Sequence, residues 1–166
     1  MDEVETFNSM PADLLQKDLL ACCAAPAWAS AVLAGRPYPD RASILAAADV
    51  ELGWPDVLRG LSAHPRIGER AEGDSAEAAW SRREQAASVR SGDAGTRAAL
   101  VTANRAYEDR FGHVFLIFAS GRSQGEILAA ARERLGNDEA TERRVVAEQL
   151  RLIAGLRLER LLDALG

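Results

Sequence analysis

Apolar positions recur along this chain at intervals of three and four almost throughout, the period of helices packed by one face. Leu14, Leu15, Leu19 and Leu20 keep that spacing behind Ser9 and Pro11, which open a helix. A second run, Trp28 to Ala34, stops at Gly35-Arg36-Pro37-Tyr38-Pro39-Asp40, whose prolines force an extended connection. Asp40 is set to cap a helix through Ile44, Leu45 and Val50 to about Gly53. Pro55 suits the first turn of the next helix, which carries Val57, Leu58 and Leu61. That helix must end near His64, because Pro65 disfavours helical geometry before it. A polar loop, Gly68 to Asp74, leads to a cap at Asp74 or Ser75 and a helix containing Trp80, Ser81, Glu84 and Gln85.

Asp93 caps a long helix through Leu100, Val101, Asn104 and Tyr107 that ends at Gly112. His113 to Ala119 is the one strand-like stretch. A lone strand has no pairing partner, so it reads as a buried helix start or an extended segment. Ser123-Gln124-Gly125-Glu126 is a capping box for a helix to about Leu135, and Asn137 is the expected cap of a final helix from Asp138 to near Leu165. The pattern predicts an all-α fold: one compact, bundle-like domain over 1–166 with roughly seven to nine helices.

Composition agrees with that pattern and narrows the partners. Hydrophobic residues make up 48% of the 166 positions and aromatics only 5%, which favours helices over a β-sandwich. The net charge of -5, with both signs interspersed, argues against a nucleic-acid surface. No apolar run is long enough to span a membrane, and the acidic start Met1-Asp2-Glu3-Val4-Glu5 lacks a signal-peptide pattern, so a cytoplasmic protein is expected. Cys22 and Cys23 are adjacent on a helix and point apart, which suits neither a mutual disulfide nor a metal; they read as two small buried side chains. No metal site is expected.

Three places could carry chemistry. His64, at a helix end fixed by Pro65, titrates near neutrality and suits acid-base work, though a histidine favoured by a helix C-terminus is the bland alternative. Ser81, Glu84 and Gln85 share one helical face and could bind a urea-like ligand, but with Arg82 and Arg83 they also resemble a solvated charged face. On the last helix Val146, Leu150, Ile153 and Leu161 form an apolar stripe that includes Arg157, and a cation there needs an acidic partner or an anionic ligand. Arg160 lies close to the same stripe, and one of the two arginines can snorkel to the rim. His113 reads as a core or pocket-wall histidine.

His64-Pro65-Arg66-Ile67-Gly68, Ser81-x-x-Glu84-Gln85, Asn104-x-x-Tyr107-x-x-x-Phe111-Gly112-x-x-Phe115 and Ile153-x-x-x-Arg157-Leu158 occur in this order, with Asn8-Ser9-Met10 and Arg36-Pro37 ahead of them. Together they resemble the 2-oxo-4-hydroxy-4-carboxy-5-ureidoimidazoline (OHCU) decarboxylases over nearly the whole chain. Where some relatives carry Phe-Gly-Phe-Pro-Phe, this chain has Phe111-Gly112-His113-Val114-Phe115. The resemblance implies an all-helical homodimer without metal or organic cofactor that converts OHCU to (S)-allantoin and carbon dioxide, last in urate oxidation. It implies His64 as the catalytic histidine, joined here by Glu84 as an orienting or ureido-binding carboxylate. Pro65, Ser81, Gln85 and Arg157 then line the substrate pocket. Phe115, Leu116, Ile117, Phe118 and Ala119 offer backbone amides to the ligand, a role consistent with a helix N-terminus. A catalytically silent helical binding protein, or an enzyme acting on a related ureide, are the competing readings.

Overall fold

The computed structural model describes residues 1–67 and 76–166. Among them lie ten helices and no strand: α1 (Glu3–Ser9), α2 (Ala12–Cys22), α3 (Pro26–Ala34), α4 (Arg41–Ala47), α5 (Trp54–Leu61), α6 (Ala76–Glu84), α7 (Ala86–Ser91), α8 (Ala94–Phe111), α9 (Gln124–Leu135) and α10 (Glu139–Leu165). The all-helical class is as the pattern predicts, and all but the six-residue α7 have at least seven residues. The chain forms two compact units, one of Met1–Ala63 with Leu150–Gly166 and one of His64–Gln149.

In the first unit α2 packs on α3 and α3 on α4. Phe7, Leu15, Leu19, Trp28, Val32 and Ile44 are fully enclosed, while Leu14 of the expected apolar stripe is half exposed. The Trp28 indole donates to the Ala48 carbonyl over 2.9 Å, which satisfies its only polar atom inside the core. Gly60 of α5 lies where a Cβ would come within 2.8 Å of Leu150 and 3.4 Å of the Cys23 sulfur, so helix α5 approaches its neighbours by virtue of a missing side chain. Cys22 and Cys23 are both buried thiols, in keeping with their packing role.

The N-terminal turns show what two of the recurring motifs do. Arg36 Nη1 donates to the carbonyls of Phe7, Asn8 and Met10 at 2.9, 3.2 and 2.7 Å, closing the end of α1. Asn8 pairs with the backbone of Tyr38, accepting its N–H at 2.7 Å and donating to its carbonyl at 2.9 Å. The Arg36–Pro37 peptide between these contacts is cis.

In the second unit α8 packs along α9, and α7 against α9. Ile67, Leu100, Ala103, Tyr107, Phe115, Ile117, Ala119, Ile127, Leu128 and Ala131 form its core. Gly112 ends α8 in the left-handed region, φ 80°, and its N–H donates to the Glu108 carbonyl over 2.8 Å.

Several boundaries differ from the sequence pattern. Helix α1 has no counterpart in that pattern; Asp2 and Glu5 close it with a reciprocal capping box. Helix α4 stops at Ala47 and α5 at Leu61, each before the expected end. The expected single helix through Trp80 and Gln85 is two, interrupted at Gln85 (φ -93°, ψ 1°). The final helix is capped by Asp138, whose Oδ1 accepts the Thr141 N–H over 2.7 Å; Asn137 instead donates to Glu142. The loop expected over 68–74 and its cap at Asp74 or Ser75 lie outside the described residues.

Candidate active site

His64 opens the second unit, in a bend three residues past the end of α5. His64 and Pro65 are both half-buried. The next two residues, Arg66 and Ile67, are tied to α8. Ile67 enters the core, its carbonyl accepts from Asn104 Nδ2 over 2.8 Å, and Arg66 reaches Glu108 at 2.6 and 3.2 Å. Asn104 is buried, and its Oδ1 meets no donor among the described residues. Asn104 thus lies on the buried face of α8 and anchors the segment that carries His64, and Tyr107 shares the core that Ile67 enters.

On α6, Ser81 and Glu84 are 5% and 7% exposed. Arg83, between them in sequence, is exposed, and so is Ala79. The charged-face alternative therefore describes Arg83 and not Glu84. Ala78 above and Ser88 below are also buried, which continues an inward stripe that is unusually polar. Gln85 is half-buried at the junction of α6 and α7, adjacent to Glu84, and its N–H donates to the Ser81 carbonyl over 3.2 Å.

The residues from Val114 to Ala119 belong to no helix or strand, and Phe115, Ile117 and Ala119 enter the core. They lie ahead of Ser123, the cap of α9, so the helix-terminus rationale for ligand-binding amides is wrong here. A segment outside helix and strand must find partners for its backbone elsewhere. Leu116 O accepts from Arg134 Nη1 at 2.6 Å, Phe118 N–H donates to Gln149 Oε1 at 2.8 Å, and Phe118 O accepts from Arg122 Nε at 2.9 Å. His113 stands beside Tyr107 (5.6 Å between ring centroids) and Phe111 (6.2 Å), with Nδ1 3.0 Å from the Val114 carbonyl oxygen, consistent with a pocket wall or core.

Arg134 and Glu142 escaped the sequence reading. Glu142 is fully enclosed on α10, in a Thr-Glu-Arg-Arg run that looks like solvent-facing helix. It takes Arg134 Nε at 2.7 Å, the Tyr107 hydroxyl at 3.0 Å and Asn137 Nδ2 at 3.2 Å. Burial, and then the Glu142 charge, push the Tyr107 hydroxyl well above its ordinary range, so it stays a donor. The one sequence signal of this cluster is Tyr107 within its motif.

Arg157 belongs to the first unit and is 2% exposed, in line with Ile153, Ala154, Leu158 and Leu161, all buried; Arg160 is half-buried. The inward arginine of the stripe is thus Arg157. Burial pushes the neighbouring Cys23 thiol up, while the Ala25 backbone and the Arg157 charge pull it down. His64, Pro65, Ser81, Glu84, Gln85 and Phe115 to Ala119 all fall in the second unit. Among the described residues no group of three or more His, Cys, Asp or Glu side chains could hold a metal ion, and no helix is long and apolar enough to cross a membrane.

Residues 8–159 match the family model described as OHCU decarboxylase. An OHCU decarboxylase of Amia calva is 34% identical over 141 residues, covering 81% of this chain and 79% of that one. A uric acid degradation bifunctional protein of Arabidopsis thaliana is 28% identical over 158 residues; the match takes in 92% of this chain but only 48% of the plant protein, about half its length. Among solved structures, an OHCU decarboxylase crystallised in the presence of (S)-allantoin superposes with a TM-score of 0.74 at 28% identity, over 88% of this chain and 97% of that one. An (S)-allantoin synthase shares the fold at a TM-score of 0.64 and 21% identity, over 96% of this chain and 53% of that one.

Proposed function

The chain belongs to the OHCU decarboxylase family, and on that premise we propose that it converts OHCU to (S)-allantoin and carbon dioxide in urate degradation, acting as one domain and as a homodimer. The observation that carries this reading is the burial of Ser81 and Glu84. A hydroxyl and a carboxylate withdrawn from solvent on one helix face suit a small hydrogen-bonding ligand and not a surface helix.

The substrate bears a carboxylate and a hydroxyl on one ring carbon, next to an imine carbon that carries the ureido group. When the bond to the carboxylate breaks, carbon dioxide leaves, the bond's electron pair forms a double bond to the imine carbon, and the imine pair passes to the ring nitrogen, which takes up a proton. The former imine carbon then takes a proton on one face, and the hydroxyl carbon becomes a carbonyl after losing its own proton. One proton is taken up overall. The substrate is its own electron sink, so the reading assigns no cofactor.

The protein must orient the leaving carboxylate and handle two protons. His64 is assigned the acid-base role, at the hydroxyl or at the carbon that is protonated. Glu84 orients His64 or receives ureido N–H groups, with Ser81 and Gln85 beside it and Pro65 in the wall. Arg157 binds an oxygen of the substrate; aimed at one that gains charge it accelerates the reaction, whereas a clamp on the leaving carboxylate would favour the ground state.

The test is His64→Asn, with OHCU generated in the cuvette and optically active allantoin followed by circular dichroism. Turnover should fall on the order of a hundredfold to ten-thousandfold. Wild-type turnover by a folded variant refutes the mechanism, and an inactive wild type refutes the function. Sedimentation equilibrium reads the assembly.

A further inference from the structure

Arg134 binds the Val114–Ala119 segment in a way that its helix position alone does not require. Its guanidinium is 8% exposed and is held against Glu142, with Nε at 2.7 Å and Nη2 at 2.5 Å from Oε1. Its third nitrogen, Nη1, donates to the Leu116 carbonyl at 2.6 Å, and its guanidinium carbon lies 4.4 Å from the Phe115 ring centroid. Glu142 is itself fixed by Tyr107 and Asn137, so the arginine can neither swing nor retreat to solvent.

The consequence lies in the peptide unit that Arg134 grips. The Leu116–Ile117 peptide is trans, the sole cis bond among the described residues being Arg36–Pro37. In a trans peptide the carbonyl and the following N–H point in opposite directions. Fixing the Leu116 carbonyl on Arg134 therefore turns the Ile117 N–H away from Arg134. Ile117 is 6% exposed, and its N–H meets no acceptor among the described residues. A buried amide without an acceptor costs free energy unless a ligand supplies one. The Phe118 N–H, by contrast, is already committed to Gln149.

We propose that Arg134, braced by Glu142, is a positioning residue that presents the Ile117 N–H to an oxygen of the substrate. This rests on the decarboxylase reading above and on the family resemblance, which implies that the backbone amides of Phe115 to Ala119 meet the ligand. A lysine in place of Arg134 keeps a cation for Glu142 but cannot also reach the Leu116 carbonyl, because it lacks the planar fork.

The experiment combines amide NMR of isotope-labelled wild type, titrated with (S)-allantoin, with steady-state kinetics of Arg134→Lys and Glu142→Gln. In wild type the Ile117 amide resonance should shift on titration. In Arg134→Lys that response should shrink, and kcat/KM should fall about tenfold to a hundredfold, mostly through KM, while far-UV circular dichroism stays helical. An Ile117 amide that allantoin leaves unmoved in the wild type overturns the proposal whether or not the variants fold. A folded Arg134→Lys with wild-type kcat/KM overturns it as well, and so does a folded Glu142→Gln if Arg134→Lys does not fold. All three leave the decarboxylase reading standing if the wild type turns over OHCU; wild type inert toward OHCU overturns that reading and the proposal together.

Discussion

Arg36→Ala separates residues that recur for the fold from residues that recur for the chemistry. The Arg36 guanidinium is half-buried and gives one nitrogen to three carbonyls, those of Phe7, Asn8 and Met10. These carbonyls end α1 and have no intrahelical donor, and a cation there also opposes the negative end of the helix. A hydrogen bond to a charged group contributes roughly 1.5–3 kcal/mol, but shared donors and partial solvent access keep three short contacts from adding. The expected loss is about 2–3 kcal/mol, or about 5–10 °C in Tm at this chain length. Urea unfolding followed by far-UV circular dichroism measures it, with Arg36→Lys intermediate. Per folded molecule, kcat/KM should stay within about twofold, less than half a kcal/mol of barrier. A loss below about 0.5 kcal/mol would refute the capping argument. Lost turnover in a stable Arg36→Ala would move Arg36 into the site.

Tyr107→Phe removes one of three donors to a fully enclosed carboxylate and should cost about 1–2 kcal/mol by the same unfolding assay. Gly112→Ala forces a side chain to φ 80°, for about 1–2 kcal/mol, and Gly112→Asn should recover part of that loss. Ser123→Ala breaks the capping box of α9 and should cost about 1 kcal/mol. The Asp40, Asp93 and Asp138 carboxyls are held below their usual range by hydrogen bonds from Ser43, Thr96 and Thr141 at the helix starts. A lowered folded pKa stabilises above the unfolded value and is lost as pH falls through the folded one, so Tm should be level near neutrality and drop below about pH 4. Asp93→Asn, which can still cap, should weaken that acid drop with little change at neutral pH; an unchanged acid limb would remove the cap as its source.

The order and type of the helices are legible in the sequence because capping and periodicity act over a few residues. Asp93, the Ser123–Glu126 box and Gly112 each mark an end, and each does so in the structure. The periodic stripe of α10 narrows the inward cation to two arginines, and burial selects Arg157 over Arg160. The break at Gln85 is not legible, because Arg82 to Ala87 are compatible with an unbroken helix. Nor is the capping role of Asp138, which the neighbouring Asn137 could have served equally.

By itself, the sequence determined the helical class, most helix ends and, through the order of its motifs, the family. Those signals need only neighbouring residues or the spacing between short motifs. Only the tertiary structure decided which polar residues leave water. Glu84 and Arg83 are adjacent charged residues, yet one is enclosed and the other exposed. Glu142 reads as a surface glutamate until Arg134, eight residues away, and Tyr107, 35 residues away, close around it. The cost of burying a carboxylate is offset only by donors assembled from separate helices, and no local pattern records their arrival.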